Sequence, residues 1–176
     1  MSHPLTCPAD PKQKCDFGGE EQREMLCVRA EAKKIVACAI HLSTKAKPRL
    51  AEARVAKQVL AHDYSGYKQF LGGDLNDEPR SAVAGQFYHR DYGLNAEGAL
   101  KEAGSPCHND IKPLLQALPC RNGEKTHDDL GPIEESPIKG RKIDFLFVSP
   151  EVKVISVNAT TAAHSDHDPL WADVSF

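Results

Sequence analysis

The chain alternates short apolar runs with polar, glycine- and proline-rich connections, and the apolar positions recur at two periods. Met25-Leu26-Cys27-Val28-Arg29 reads as a strand, Ala30 to Lys33 as a turn, and Lys34 to Ile40 as the partner strand. The second run is nearly all apolar, which predicts that both of its faces are covered. From Pro48 to His62 the period lengthens. Leu50, Ala53, Ala56, Val59 and Leu60 form one stripe of a helix, and Arg49, Glu52, Arg54 and Lys57 on the opposite side read as solvated charges. Phe70 to Asn76 is a further strand, an apolar run that ends abruptly at Gly72-Gly73. Strand, helix and strand in alternation predict an α/β (α+β) architecture.

The stretch 77–140 is less regular. Ser81 to Tyr88 and Asn95 to Ala103, with Gly104 as a stop, read as helices, Ile111 to Leu118 as a third, and 121–140 as a loop. Three strands follow: Lys142 to Val148, Val152 to Val157 and Leu170 to Phe176. Residues 1–24 are polar and punctuated by Pro4, Pro8, Pro11 and Gly18-Gly19, which reads as an arm preceding a domain of 25–176.

Composition narrows the function classes. At 176 residues the chain is long enough for one domain with a real core. Its net charge of -3 argues against a module that coats nucleic acid, though not against an enzyme that meets phosphates through a metal. No apolar run approaches membrane-spanning length, and residues 1–20 lack the apolar core of a signal peptide. None of the six cysteines forms a C-x-x-C pair, so a zinc site is not expected. Their even number and wide spacing favour disulfides, an oxidising compartment and an extracellular protein; six reduced thiols are the alternative. Order along the chain suggests Cys7–Cys15, Cys27–Cys38 and Cys107–Cys120, and the second pair falls on the two runs expected to form a hairpin.

Candidate chemistry collects at the ends of the apolar runs. Asp74 and Asn76 are two residues apart, which on an extended strand end turns a carboxylate and a carboxamide toward one side; the alternative is a plain Gly/Asn/Asp turn. His41 closes a buried strand. Asp144 is one charge among apolar neighbours, costly to bury without a partner, so it reads either as half of an ion pair or as the orienter of a histidine. His164-Ser165-Asp166-His167-Asp168 sets four ionisable groups immediately before the last strand, which a metal or acid–base site explains better than a solvated loop.

His41-Leu42, Gly73-Asp74-Leu75-Asn76, Ile143-Asp144-Phe145 and Ser165-Asp166-His167-Asp168-Pro169, in this order and each at a predicted strand end, resemble the endonuclease/exonuclease/phosphatase superfamily. That group includes deoxyribonuclease I, the exonuclease III-type repair nucleases, sphingomyelinases and inositol polyphosphate phosphatases. The resemblance runs from about Met25 to Phe176. It implies two packed mixed sheets flanked by helices, and a metal-dependent hydrolase of phosphodiester bonds, foremost a nuclease acting on nucleic acid. A phosphatase or sphingomyelinase acting on lipid or inositol phosphate is the rival, and a catalytically defective binding module the alternative from another class. It further implies roles. His41 contacts the scissile phosphate and donates to the leaving group. Asp74 holds the attacking water or metal, and Asn76 binds a phosphate oxygen. Asp166 is a metal-site carboxylate, His167 stands on the nucleophile side, and Asp144 orients it. Asp74 and Asp166 are thereby the metal ligands, and oxygen ligands suit Mg²⁺, or Mn²⁺ or Ca²⁺.

Family members open with further strands that carry an asparagine and a metal-binding glutamate. Nothing before Met25 resembles these, and Glu20, Glu21 and Glu24 stand in a different context. The chain is therefore expected to correspond to the C-terminal part of the domain, to bind metal weakly, to turn over slowly or not at all alone, and to leave one apolar sheet edge or face exposed.

Overall fold

The computed structural model describes residues 1–5, 22–93, 95–109, 120–127, 140–162 and 164–176. The expected pair Cys7–Cys15, the expected helix from Ile111 to Leu118, and Glu20 and Glu21 lie outside these residues.

The long apolar runs form the expected strands and helix, but the strand Ile35–His41 is covered on one face and not on both, since its residues alternate between buried and exposed with Ala37 and Ala39 open. Glu24–Ala30 (β2) and Ile35–His41 (β3) form an antiparallel hairpin around a 3₁₀ turn at Glu31–Lys33. Ala46–His62 (α1) then crosses back, and Lys68–Asp74 (β4) pairs parallel to β3. Pro48 sits in the first turn of α1, where no helical N–H is required of it. Asp144–Val148 (β6) lies antiparallel on the far side of β4. With Ser2–Pro4 (β1) outside β2 and Lys101–Glu102 (β5) outside β6, the order is β1-β2-β3-β4-β6-β5. Lys153–Ala159 (β7) and Leu170–Ser175 (β8) make a second, antiparallel sheet.

Register puts Met25, Cys27, Val36, Cys38, Ile40, Leu71, Phe145 and Phe147 on one face of the large sheet, and Ala53, Ala56 and Leu60 of α1 pack into the same core. On the opposite face Val148, Phe70 and Leu146 meet Val152, Val154, Ala172 and Val174 of the small sheet. Two sheets thus pack face to face with helix on the outer side. The small sheet covers only the β4–β6 half. Leu26 and Val28 on the β2–β3 half remain 57% and 70% exposed beside the exposed Ala37 and Ala39, which is the apolar face expected from the sequence.

Several expectations need correction. The helix expected from Asn95 to Ala103 is absent. Gly98 bridges His89, Leu100 bridges Tyr88, and β5 continues against β6. A Cβ on Gly98 would strike the Phe87 carbonyl oxygen, so this backbone is held close to another chain segment rather than coiled on itself. The helix expected from Ser81 to Tyr88 shrinks to Ala82–Gly85 (α2), capped by the Ser81 hydroxyl. The polar arm contains a strand, because Met1 and Leu5 bond to the backbone of Cys27 and Arg23 and Leu5 is buried. On α1, Glu52 is buried and not solvated. Its carboxylate accepts from the backbone N–H and the hydroxyl of Ser43, at 2.8 and 2.6 Å, and so pins the loop after β3. Arg49 is likewise enclosed, against Asp77, and Lys57 pairs with Glu97.

Cys27 and Cys38 face each other across the hairpin and are bonded, as are Cys107 and Cys120. Thiol titration of the unreduced, denatured protein should therefore find none of these four reactive. Replacing Cys107 and Cys120 together with serine is expected to lower unfolding free energy by about 2–4 kcal/mol, read by urea denaturation. Four titratable thiols at these positions would contradict the pairing.

Candidate functional site

The polar groups singled out from the sequence gather at one end of the large sheet. Because β3 and β4 run parallel, His41 and Asp74 are paired neighbours at their C-terminal ends. Because β6 runs the other way, its first residue, Asp144, is the neighbour of Asp74. Gly73 allows the close approach. Its φ is +142°, and a Cβ there would strike the Ile40 carbonyl oxygen. The β7–β8 connection carries His167 to the same edge.

Within this cluster His41 Nε2 lies 3.5 Å from Asp74 Oδ2, and His167 Nε2 lies 4.0 Å from the same oxygen. His167 Nδ1 is 2.9 Å from Asp144 Oδ2, so the isolated carboxylate on β6 has the histidine partner that one of its two readings required. Asp74 Oδ1 accepts from the Asn76 backbone N–H, and the Asn76 side chain donates to the Leu42 carbonyl at 2.8 Å. One amide hydrogen of Asn76 is thus engaged in holding the β3 and β4 ends together, leaving the other for a ligand. A cleft of about 290 Å³ opens beside these groups, lined by Gly73, Asp144, Leu146, His167, Pro169 and Leu170. A hollow of about 340 Å³ between Lys57, His62, Arg90 and Leu100 lies at the other end of α1, away from this chemistry.

Asp166 is placed differently from expectation. Its Oδ2 stands 3.6 Å from His127 Nε2, and its donor group is His127, Asp166 and His167, while Asp74 groups with Asp144 and His167. The two expected metal carboxylates therefore belong to separate donor sets joined by His167. Glu24 bonds to Ser2 on the edge strand, in neither set.

Burial, with Asp144 as a neighbouring negative charge, pushes the Asp74 carboxyl above its usual range, against the hydrogen bond from the Asn76 backbone. Burial alone would pull the His167 pKa down. The hydrogen bond and charge of Asp144, joined by Asp74 and Asp166, outweigh it and hold His167 above its ordinary value. In the metal-free chain, Asp144→Asn removes the main opposing contributions, so the His167 titration followed by NMR should move to lower pH. An unchanged or raised midpoint would contradict the Asp144–His167 pairing.

Three participating residues were not singled out by the sequence reading. Thr126 is fully buried and its hydroxyl accepts from the backbone of Ile143 and Asp144, while its carbonyl accepts from Asp168, tying β6 to the 164–169 segment. His127, next to it, pairs with both Arg141 and His167 through isolated bridges. Both residues fall in a stretch whose composition reads as loop, and only tertiary pairing brings them to the site. Arg49 reaches from the first turn of α1 to the Asn76 carbonyl and to Asp77 at 3.3 Å, holding the turn in which Asn76 adopts φ +52°. Its position in the first turn, beside the end of β4, was the available signal.

No family model and no curated protein matches the chain. Solved structures do. An endonuclease/exonuclease/phosphatase family protein from Bacteroides thetaiotaomicron superposes with a TM-score of 0.66 at 17% identity, over 99% of this chain and 63% of its own. A mannosyl-6-phosphatase from the same organism gives 0.61 at 18%, over 100% and 65%. The human Nocturnin catalytic domain, bound to a sulfate anion, gives 0.64 at 17%, over 100% and 58%. The chain thus spans less than two thirds of the length of these structures, and it has the fold of the endonuclease/exonuclease/phosphatase, deoxyribonuclease I-like, proteins.

Proposed function

From that fold and the cluster it presents, we propose that the chain supplies the site of a metal-dependent phosphoester hydrolase, acting first on phosphodiesters in the manner of a nuclease. The observation that carries this reading is the convergence of His41, Asp74, Asn76, Asp144 and His167 on one sheet end, with Asp144 behind His167. A carboxylate behind an imidazole fixes its tautomer and stabilises its cation, leaving Nε2 to take a proton from an attacking water. Asp74 orients that water from the opposite side. The second amide hydrogen of Asn76 is placed to bind a phosphate oxygen. His41, half exposed at the strand end, is placed to give a proton to the leaving oxygen.

The residues fit a hard divalent cation. Asp74, Asp144 and His167 bring donor atoms within 4.8 Å of one another, and two carboxylates paired across β4 and β6 favour a cation between them. Mg²⁺ or Mn²⁺ held by Asp74 would neutralise phosphate charge and acidify the attacking water. Asp166, expected as the second carboxylate ligand, stands 3.6 Å from His127 and is grouped with His167, which the Asp74 set shares.

One observation favours a second reading, a phosphatase for a sugar, lipid or inositol phosphate. The net charge of -3 provides no extended positive field for a polyanion. Assays of the native gene product on bis(p-nitrophenyl) phosphate, p-nitrophenyl phosphate and plasmid DNA separate the two. The first reading expects cleavage of diester and DNA, the second of the monoester alone, and no cleavage of any would overturn both. The two disulfides support an oxidising, extracellular location; fractionation of the source cells tests it.

A further inference from the structure

The second donor set lies beside the proposed catalytic groups and differs from them in chemistry. One ring nitrogen each of His127 and His167 and one carboxylate oxygen of Asp166 lie within 4.8 Å of one another. His127 and His167 meet edge to face with ring centroids 4.7 Å apart. Backbone pairing fixes these positions. His127 exchanges hydrogen bonds with Arg141 at 3.0 and 2.8 Å and bridges His167, while Asp168 donates to the Thr126 carbonyl at 2.8 Å. His127 is mostly enclosed, whereas Asp166 is exposed, so the set opens to solvent on one side.

We propose that His127, Asp166 and His167 form a second metal site, selective for borderline divalent ions such as Zn²⁺ and Co²⁺ over Mg²⁺. Two imidazoles and one carboxylate are the donor chemistry of such ions, and three protein ligands leave a fourth position for water. Asp144 on Nδ1 of His167 supplies the outer carboxylate that orients a ligating imidazole toward the ion. The His127–Asp166 separation of 3.6 Å lies near the spacing of neighbouring ligands around a tetrahedral ion with bonds of about 2.0–2.2 Å. Since His167 Nε2 does not hold an ion and accept a proton at once, occupation of this site excludes the base role of His167. Metal binding itself does not rest on the hydrolase reading and is measured without turnover, so the two fail separately.

The test titrates Co²⁺ into the untagged, metal-free protein in the presence of excess Mg²⁺ and follows visible absorbance. One Co²⁺ per chain is expected, displaced by Zn²⁺ and not by Mg²⁺. His127→Gln should weaken Co²⁺ binding by at least about tenfold, since even outer partners of metal ligands are worth that much. Long-range proton–nitrogen spectra of the unmutated chain with Zn²⁺ should show the Nε2 atoms of both His127 and His167 shifted by the metal, a measurement that holds if the variant does not fold. Three results would overturn the proposal: unchanged Co²⁺ affinity in His127→Gln, an unshifted His127 Nε2, or loss of Co²⁺ binding in Asp74→Asn but not in His127→Gln.

Discussion

In the native gene product, replacing His167 with alanine is expected to lower phosphoester turnover by about 10²–10⁴-fold while leaving the fold intact. His167 is more than a third exposed on its side chain, and among the described residues its ring pairs with Asp144 and His127, so its removal costs little packing. What disappears is the imidazole whose Nδ1 is held by Asp144 and whose Nε2 lies 4.0 Å from Asp74. The loss should appear in kcat and in kcat/KM together, because the interaction is made in the transition state. Steady-state kinetics on bis(p-nitrophenyl) phosphate, with circular dichroism as the fold control, measures it. An unchanged kcat would mean that another group takes the proton.

Lys142→Met is expected to reduce unfolding free energy by about 3–5 kcal/mol. Lys142 Nζ lies 2.9 Å from Glu102 Oε1, with both side chains buried, and also donates to the Asp144 carbonyl at 3.0 Å. The Tyr88 hydroxyl completes the set on Glu102. Removing the ammonium leaves a buried carboxylate without its counter-charge, and an apolar side chain does not replace it. The pH dependence has a definite sign. Burial raises the Glu102 pKa above its ordinary value, against the pull of Lys142. Protonated Glu102 is therefore the form the fold favours, and that contribution is present below about pH 4.5 and lost as pH rises through the folded pKa. The cost of Lys142→Met should accordingly shrink as pH falls into the carboxylate range. Urea denaturation at neutral and acid pH checks both magnitude and trend; equal costs at the two pH values would contradict the pairing.

What the sequence disclosed follows from how strongly each segment is determined locally. β3, β4 and β6 are apolar runs whose polar residues stand at their ends, so both strand and site position could be read, and the hairpin placed Cys27 against Cys38. β1 and β5 could not be read, since three and two residues respectively carry no period and exist only through their partners. Glu52 looked solvated because a helical pattern records which side a residue faces, not whether a loop folds over it. His127 was hidden for a related reason: its meaning depends on pairing with Arg141 and His167, far along the chain.

The central claim is that Asp144 and His167 work as one unit in a single site beside Asp74. The most direct measurement is a double-mutant cycle on turnover with Asp144→Asn, His167→Ala and the double variant. Residues that act as a unit are strongly non-additive. The double variant should therefore be no slower than His167→Ala alone, whereas losses that multiply would contradict the claim and place Asp144 in the fold rather than in the chemistry.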